Sequence, residues 1–290
     1  MAKLYPNLQH AFINFAPVGQ QQRYFLEIAY DGTRYHGWQT QPNAIAIQQK
    51  LNEVLAILLR QPVETTGAGR TDTGVHARQL FVHLDMPATA SQPSEGGAGV
   101  NGQQQEQILG PPIRGRGGLE LASLNALLPH DIAAKRIIPV HAEAHARFDA
   151  TLRSYEYHIH FSKDPFRQNY SWQIKGELDV ELMNRAAQMM IEYTDFSCFS
   201  KSNTQVKTNN CKIVRAEWVR KDDGLVFHIS ADRFLRNMVR AIVGTCMMVG
   251  RKEMEPEGIR QIIESKNRSN AGTSVPACGL YLTEVKYPYI

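Results

Sequence analysis

GAGRTDTGVHA, residues 67–77, gathers glycines, an arginine, an aspartate and a histidine into one short segment. Val63–Thr66 before it is β-branched and reads as a short strand. Leu80, Val82 and Leu84 after it alternate as a half-buried strand does. Asp72 is therefore expected at the exit of a strand. Arg70, two residues away, projects to the same side if the backbone is extended. The glycines permit tight turns and close approach of another molecule. A cation beside a carboxylate favours the charged form, and a charged aspartate suits a nucleophile or a base better than an acid. An Asx-turn with a surface ion pair accounts for the same residues without any chemistry. The Gly-x-Gly lacks the spacing of a dinucleotide or P-loop fingerprint.

Working outward, the elements fall into a repeated order. Tyr24–Tyr30 reads as a strand ending at the Asp31-Gly32 turn, Ile45–Leu59 as a helix, Leu119–Leu128 as a short helix stopped by Pro129, and Ile132–Val140 as a strand. The second half gives strand Ser154–Phe161, helix Val180–Tyr193 and a hairpin of Lys212–Arg220 with Leu225–Ser230. Helices Phe234–Val249 and Gly258–Glu264 and strand Gly279–Val285 follow. The predicted class is α+β: two β-α-β-β-α-β (ferredoxin/RRM-like) halves, each with an antiparallel sheet, joined near residue 150. The expected organisation is a tail at 1–23, an N-terminal half at 24–150 carrying Asp72, and a C-terminal half at 151–290. Residues 88–118, rich in Gly, Gln, Ser and Pro, read as a flexible insertion.

Composition sets broad limits. The 290 residues carry a net charge of +4, a weak pointer to nucleic acid, and 43% are hydrophobic. The four cysteines form no CxxC pair, and HAEAH at 141–145 is not HExxH, so no metal site is expected. The first residues, MAKLYPNLQHAFINF, do not read as a signal peptide, and no apolar run approaches the ~18 residues of a membrane span. A cytoplasmic protein without membrane association is expected. Arg233, Arg236 and Arg240 fall at i, i+3 and i+7 of the predicted helix, one stripe suited to phosphates. Arg70, Arg78, Lys201, Lys207 and Lys212 are candidates to widen it.

GAGRTDTGVHA resembles the active-site motif of the tRNA pseudouridine synthase A family. YDGTRYHGWQTQ (30–41), NALLPHDI (125–132), AHARFDATLRSYEYHI (144–159), DFSCFS (195–200), RFLRNMVRAIVG (233–244) and GLYLTEVKYP (279–288) agree in order. The insertion at 88–118 is longer than that family's pattern. The resemblance implies a pseudouridine synthase fold with a central basic cleft. It implies an isomerase that detaches, turns and rejoins a uracil at positions 38, 39 and 40 of the tRNA anticodon arm, with no cofactor and no metal. Asp72 matches the catalytic aspartate, whether it attacks the sugar, adds to the base or removes a sugar proton. Arg70 would orient it and Arg240 pair with it. Tyr155 matches a tyrosine whose ring stacks on uracil and whose hydroxyl is a candidate to move the proton from carbon. Leu280 would wall the pocket, and a homodimer sharing one tRNA is implied.

A non-catalytic tandem RRM shares the element order. Neither LFVHLDM nor CKIVRAEWV carries the Gly-aromatic strand signature of an RRM.

Overall fold

Alternating apolar residues in each half put one face of every long strand into a core, and the helices cover that face. The computed structural model describes residues 21–87, 119–201 and 208–290. The insertion 88–118, Lys207 and most of the N-terminal tail lie outside the described residues. The strands are β1 (Gln21–Tyr30), β2 (Thr66–Gly67), β3 (His76–Pro87), β4 (Ile132–Pro139), β5 (Leu152–His160), β6 (Trp172–Gln173), β7 (Ile213–Lys221), β8 (Gly224–Ala231) and β9 (Leu280–Lys286). The helices are α1 (Ile47–Leu59), α2 (Leu121–Leu127), α3 (Val180–Met189), α4 (Met238–Gly250) and α5 (Gly258–Ser265).

The two antiparallel sheets expected from the sequence are one mixed sheet, ordered β4-β1-β3-β9-β5-β8-β7, with β2 on β3 and β6 on β5. The junction explains the difference. The last strand, β9, runs antiparallel to β5 but parallel to β3, pairing His76 with Tyr281 and Ala77 with Leu282. Its side chains also join the two cores. Leu280 belongs to the cluster under α3, α4 and α5, whereas Leu282 and Val285 belong to the cluster under α1 and α2. Tyr155, opposite Leu282 on β5, packs against both clusters.

Other departures have local causes. The strand expected at Val63–Thr66 is only Thr66–Gly67, because Thr65 turns its carbonyl to the Gln48 side-chain amide. The helix expected from Phe234 starts at Met238. Asn237 precedes it in the left-handed region (φ 67°), a conformation that cannot continue a helix. The arginine stripe is corrected accordingly: Arg233 and Arg236 stand on the incoming loop, and only Arg240 is helical. The helix expected over Val180–Tyr193 gives way after Met189 to a 3₁₀ turn.

Two partly buried clusters make stability pH-dependent. Burial, with His145 and Arg23 nearby, holds the His83 imidazole down at about 4. Because the folded value is depressed, the unfolded chain takes up the proton first, so stability falls from about pH 6.5 to about 4. Glu156 is held at about 2, first by its hydrogen bond with His158 and then by the Arg78 and His228 charges, against burial. Its contribution is present above about 4.5 and is lost as the pH falls toward 2. Equilibrium urea unfolding from pH 7 to 3 is expected to show this decline. His83→Gln is expected to flatten the portion above pH 4, by less than about 3 kcal/mol. An unchanged slope in that variant would remove His83 from the account.

Candidate active site

Asp72 lies on the turn between β2 and β3, and neighbouring backbone holds that turn in place. Gly37, at φ +87°, approaches so closely that a Cβ there would stand 2.3 Å from the Thr71 carbonyl oxygen. The Trp38 N–H donates to that oxygen at 3.2 Å, and the Tyr30 and Thr71 hydroxyls lie 2.8 Å apart. The YDGTRYHGWQTQ segment is therefore a scaffold for the 67–77 turn. Val75 N–H closes the turn by donating to the Asp72 carbonyl at 3.1 Å.

Two guanidinium groups from the C-terminal half face the Asp72 carboxylate. Arg236 Nε is 3.7 Å from Oδ1, and Arg240 Nη1 is 3.7 Å from Oδ2. Those separations hold charge close without a hydrogen bond. The carboxylate, 26% exposed, makes no side-chain hydrogen bond among the described residues, so its oxygens stay open to a reacting atom. Arg240 is braced from the other side, with Nε donating to the Val275 carbonyl at 2.7 Å.

Tyr155 reaches the same place from β5. Burial, with Asp72's charge adding to it, pushes its hydroxyl up to about 12. At neutral pH it is a phenol, and removing a carbon-bound proton would require loss of its own proton first. Phe234 packs edge-on against its ring, with centroids 5.1 Å apart.

The structure thus brings together Asp72, Tyr155, Arg236 and Arg240. Arg70 is not brought to Asp72: its side chain is exposed and pairs with no carboxylate among the described residues. Arg236, read from the sequence as a phosphate contact, faces the aspartate instead. Arg78 is engaged elsewhere, 2.9 Å from Glu156 and over the Tyr281 ring at 4.9 Å. Leu280 is buried at the start of β9. Arg233 is on the loop before α4.

Arg153 escaped the sequence reading. Its Nη1 donates to the Ala150 and Asp232 carbonyls and its Nη2 to those of Ala68 and Arg147, all between 2.7 and 3.0 Å. Only its place two residues before Tyr155, which puts the two on the same face of β5, was available as a signal.

A family model described as tRNA pseudouridine synthase matches residues 186–288. The chain is 46% identical over 267 residues to the tRNA pseudouridine synthase A of Parabacteroides distasonis, covering 92% of this chain and 96% of that protein. It is 47% identical over 268 residues to the Bacteroides fragilis protein of the same name, covering 92% and 97%. The corresponding protein of an Exiguobacterium species is 36% identical over 266 residues, covering 92% and 98%. Fold and similarity together define a pseudouridine synthase, an isomerase. The chain belongs to the tRNA pseudouridine synthase A family.

Proposed function

We propose that this chain converts uridine to pseudouridine at positions 38, 39 and 40 in the anticodon arm of tRNA, with Asp72 as the catalytic carboxylate. The supporting observation is the environment of Asp72: a carboxylate without side-chain hydrogen bonds among the described residues, flanked by two arginines at 3.7 Å and close enough to the half-buried Tyr155 for its charge to act on that hydroxyl. Such a group is free to attack the sugar or base, or to take a sugar proton, while the cations hold its charge in place. Tyr155 offers a ring for the uracil, and that stacking offsets part of the few kcal/mol needed to unstack the base. Leu280 forms part of the pocket wall.

In this reading the halves 24–150 and 151–290 form the two sides of one basic cleft, with Asp72 from the first and its partners from the second. The working unit is a homodimer on tRNA, in the cytoplasm. Among the described residues no helix is long and apolar enough to cross a membrane.

The test is mass analysis of tRNA from a deletion strain after pseudouridine-specific derivatisation. Pseudouridine at positions 38 to 40 is expected to vanish and to return when the purified chain is added to that tRNA. Modification that persists in the deletion strain, or fails to return, overturns the site assignment.

Arg233 gives a separate prediction. It carries no ion pair with a carboxylate among the described residues, and it stands off Asp72. Arg233→Gln is expected to weaken tRNA binding and to reduce the slope of log affinity against log salt by about 0.7–0.9, one phosphate contact. Salt-titrated filter binding measures this, and an unchanged slope means Arg233 meets only solvent.

A further inference from the structure

We propose that the Ala144–Ala150 loop is an RNA contact beside the active site, in which Phe148 stacks on an unpaired base and Arg147 meets an adjacent phosphate. The proposal rests on the reading of the chain as an enzyme acting on tRNA. Phe148 is 74% exposed, an unusual state for a phenylalanine in a segment this well tied down. The N–H groups of Arg147 and Phe148 donate to His145 Nδ1 at 3.1 and 3.3 Å, and the Phe148 ring lies 4.2 Å from the His145 ring. The His145 N–H and the Tyr289 hydroxyl both donate to Asp149 Oδ2, and the Ala146 N–H donates to His83 Nδ1. The ring is therefore presented by an ordered loop, and its stacking surface is organised before any partner arrives.

Arg153 places this loop against the catalytic turn. One nitrogen, Nη2, holds the carbonyls of both Ala68 and Arg147, so the two lie within about 6 Å of each other. Ala68 is four residues before Asp72. Nη1 adds the Asp232 carbonyl, at the start of the segment that carries Arg236. Arg153 is a positioning residue: it fixes three segments through their backbones. Each segment then presents a cation, Arg70, Arg147 or Arg233, that pairs with no carboxylate among the described residues. The Arg147 guanidinium lies 5.7 Å from the Phe148 ring centroid. An exposed aromatic with one arginine at its ring, beside two more on the segments that Arg153 ties together, all three without a carboxylate partner among the described residues, matches a polyanion whose bases carry π-faces, the pattern of single-stranded nucleic-acid sites.

The test uses the full chain with unmodified tRNA. Phe148→Ala and Phe148→Leu are each expected to raise the Kd about tenfold with no change in salt slope. Phe148→Trp is expected to bind within about twofold of the parent, its indole fluorescence quenched on tRNA addition. Arg147→Gln is expected to lower the salt slope by about one phosphate contact. Arg153→Lys keeps the charge but loses the fork. It is expected to weaken binding as Phe148→Ala does, and the double variant is expected to be little worse than Arg153→Lys alone. Unchanged affinity in Phe148→Ala, or full recovery by Leu, overturns the stacking contact. An unchanged salt slope in Arg147→Gln overturns the phosphate contact. Strict additivity of the Arg153 and Phe148 changes overturns the positioning role. A parent chain that itself fails to bind tRNA overturns the proposed function and the loop assignment with it; a parent that binds and modifies tRNA leaves only the loop at stake.

Discussion

Asp72→Asn is expected to fold, to bind tRNA at least as tightly as the parent, and to form no detectable pseudouridine. The amide matches the carboxylate in size, so the turn closed by Val75 and braced by Gly37 has no cause to move. No side-chain hydrogen bond is lost, because among the described residues Asp72 makes only the two ion pairs at 3.7 Å. Partly exposed pairs of this kind contribute about 0–1 kcal/mol, and the change in unfolding free energy is expected within that span. Binding is spared or strengthened, since Arg236 and Arg240 would then face the phosphates without a competing anion. Chemistry is another matter: an amide is neither a base nor a useful nucleophile. The single-turnover rate is expected to fall about 10⁴-fold or more, with the ground-state Kd unchanged. Tritium release from C5-labelled uridine in tRNA, with enzyme in excess, measures it. Release at even a tenth of the parent rate would return Asp72 to the role of a turn residue.

That prediction rests on a residue legible in the sequence, and the contrast with its neighbours shows what makes a site legible. Asp72, Tyr155 and Arg240 were each named from local motifs, and folding brings them together: β9 pairs with both β3 and β5, and Arg240 on α4 faces Asp72. The element order was legible for the same reason: alternation and helical spacing are local properties that burial rewards directly. The single mixed sheet was not, because it depends on a junction of two residue pairs between strands almost 200 residues apart. Arg70 was misplaced by a local argument. Two positions along an extended chain share a side, but the residues around Asp72 form a turn, and the partner cations arrive from a distant loop and the helix that follows it. The arginine stripe failed at one backbone angle: a periodicity count sees side chains at i, i+3 and i+7 and does not see Asn237 in the left-handed region. Arg153 was invisible for a further reason. Its four acceptors are backbone carbonyls, which no residue identity reports.

Arg240→Lys is expected to keep tRNA affinity within a few-fold of the parent and to lose about a hundredfold in single-turnover rate. Arg240→Gln is expected to lose about a thousandfold. Arg240 occupies the first turn of α4, where the helix dipole disfavours a cation, and no acidic residue sits in that turn to offset it. Its position therefore serves the carboxylate opposite rather than the helix. One end of the guanidinium is fixed by the Val275 carbonyl at 2.7 Å, and the other stands 3.7 Å from Asp72. The planar fork does both at once. A lysine has one nitrogen, which must choose between the carbonyl and the carboxylate, so charge survives in the variant and placement does not. With the side chain only 21% exposed, solvent does little to replace the lost arm. If the two variants lose rate equally, charge without the fork's placement contributes nothing. If Lys retains the full parent rate, the bracing by Val275 is irrelevant to chemistry. A graded loss, with Lys between the parent and Gln while Kd barely moves, is the signature of a guanidinium that must be held at Asp72 as the glycosidic bond breaks.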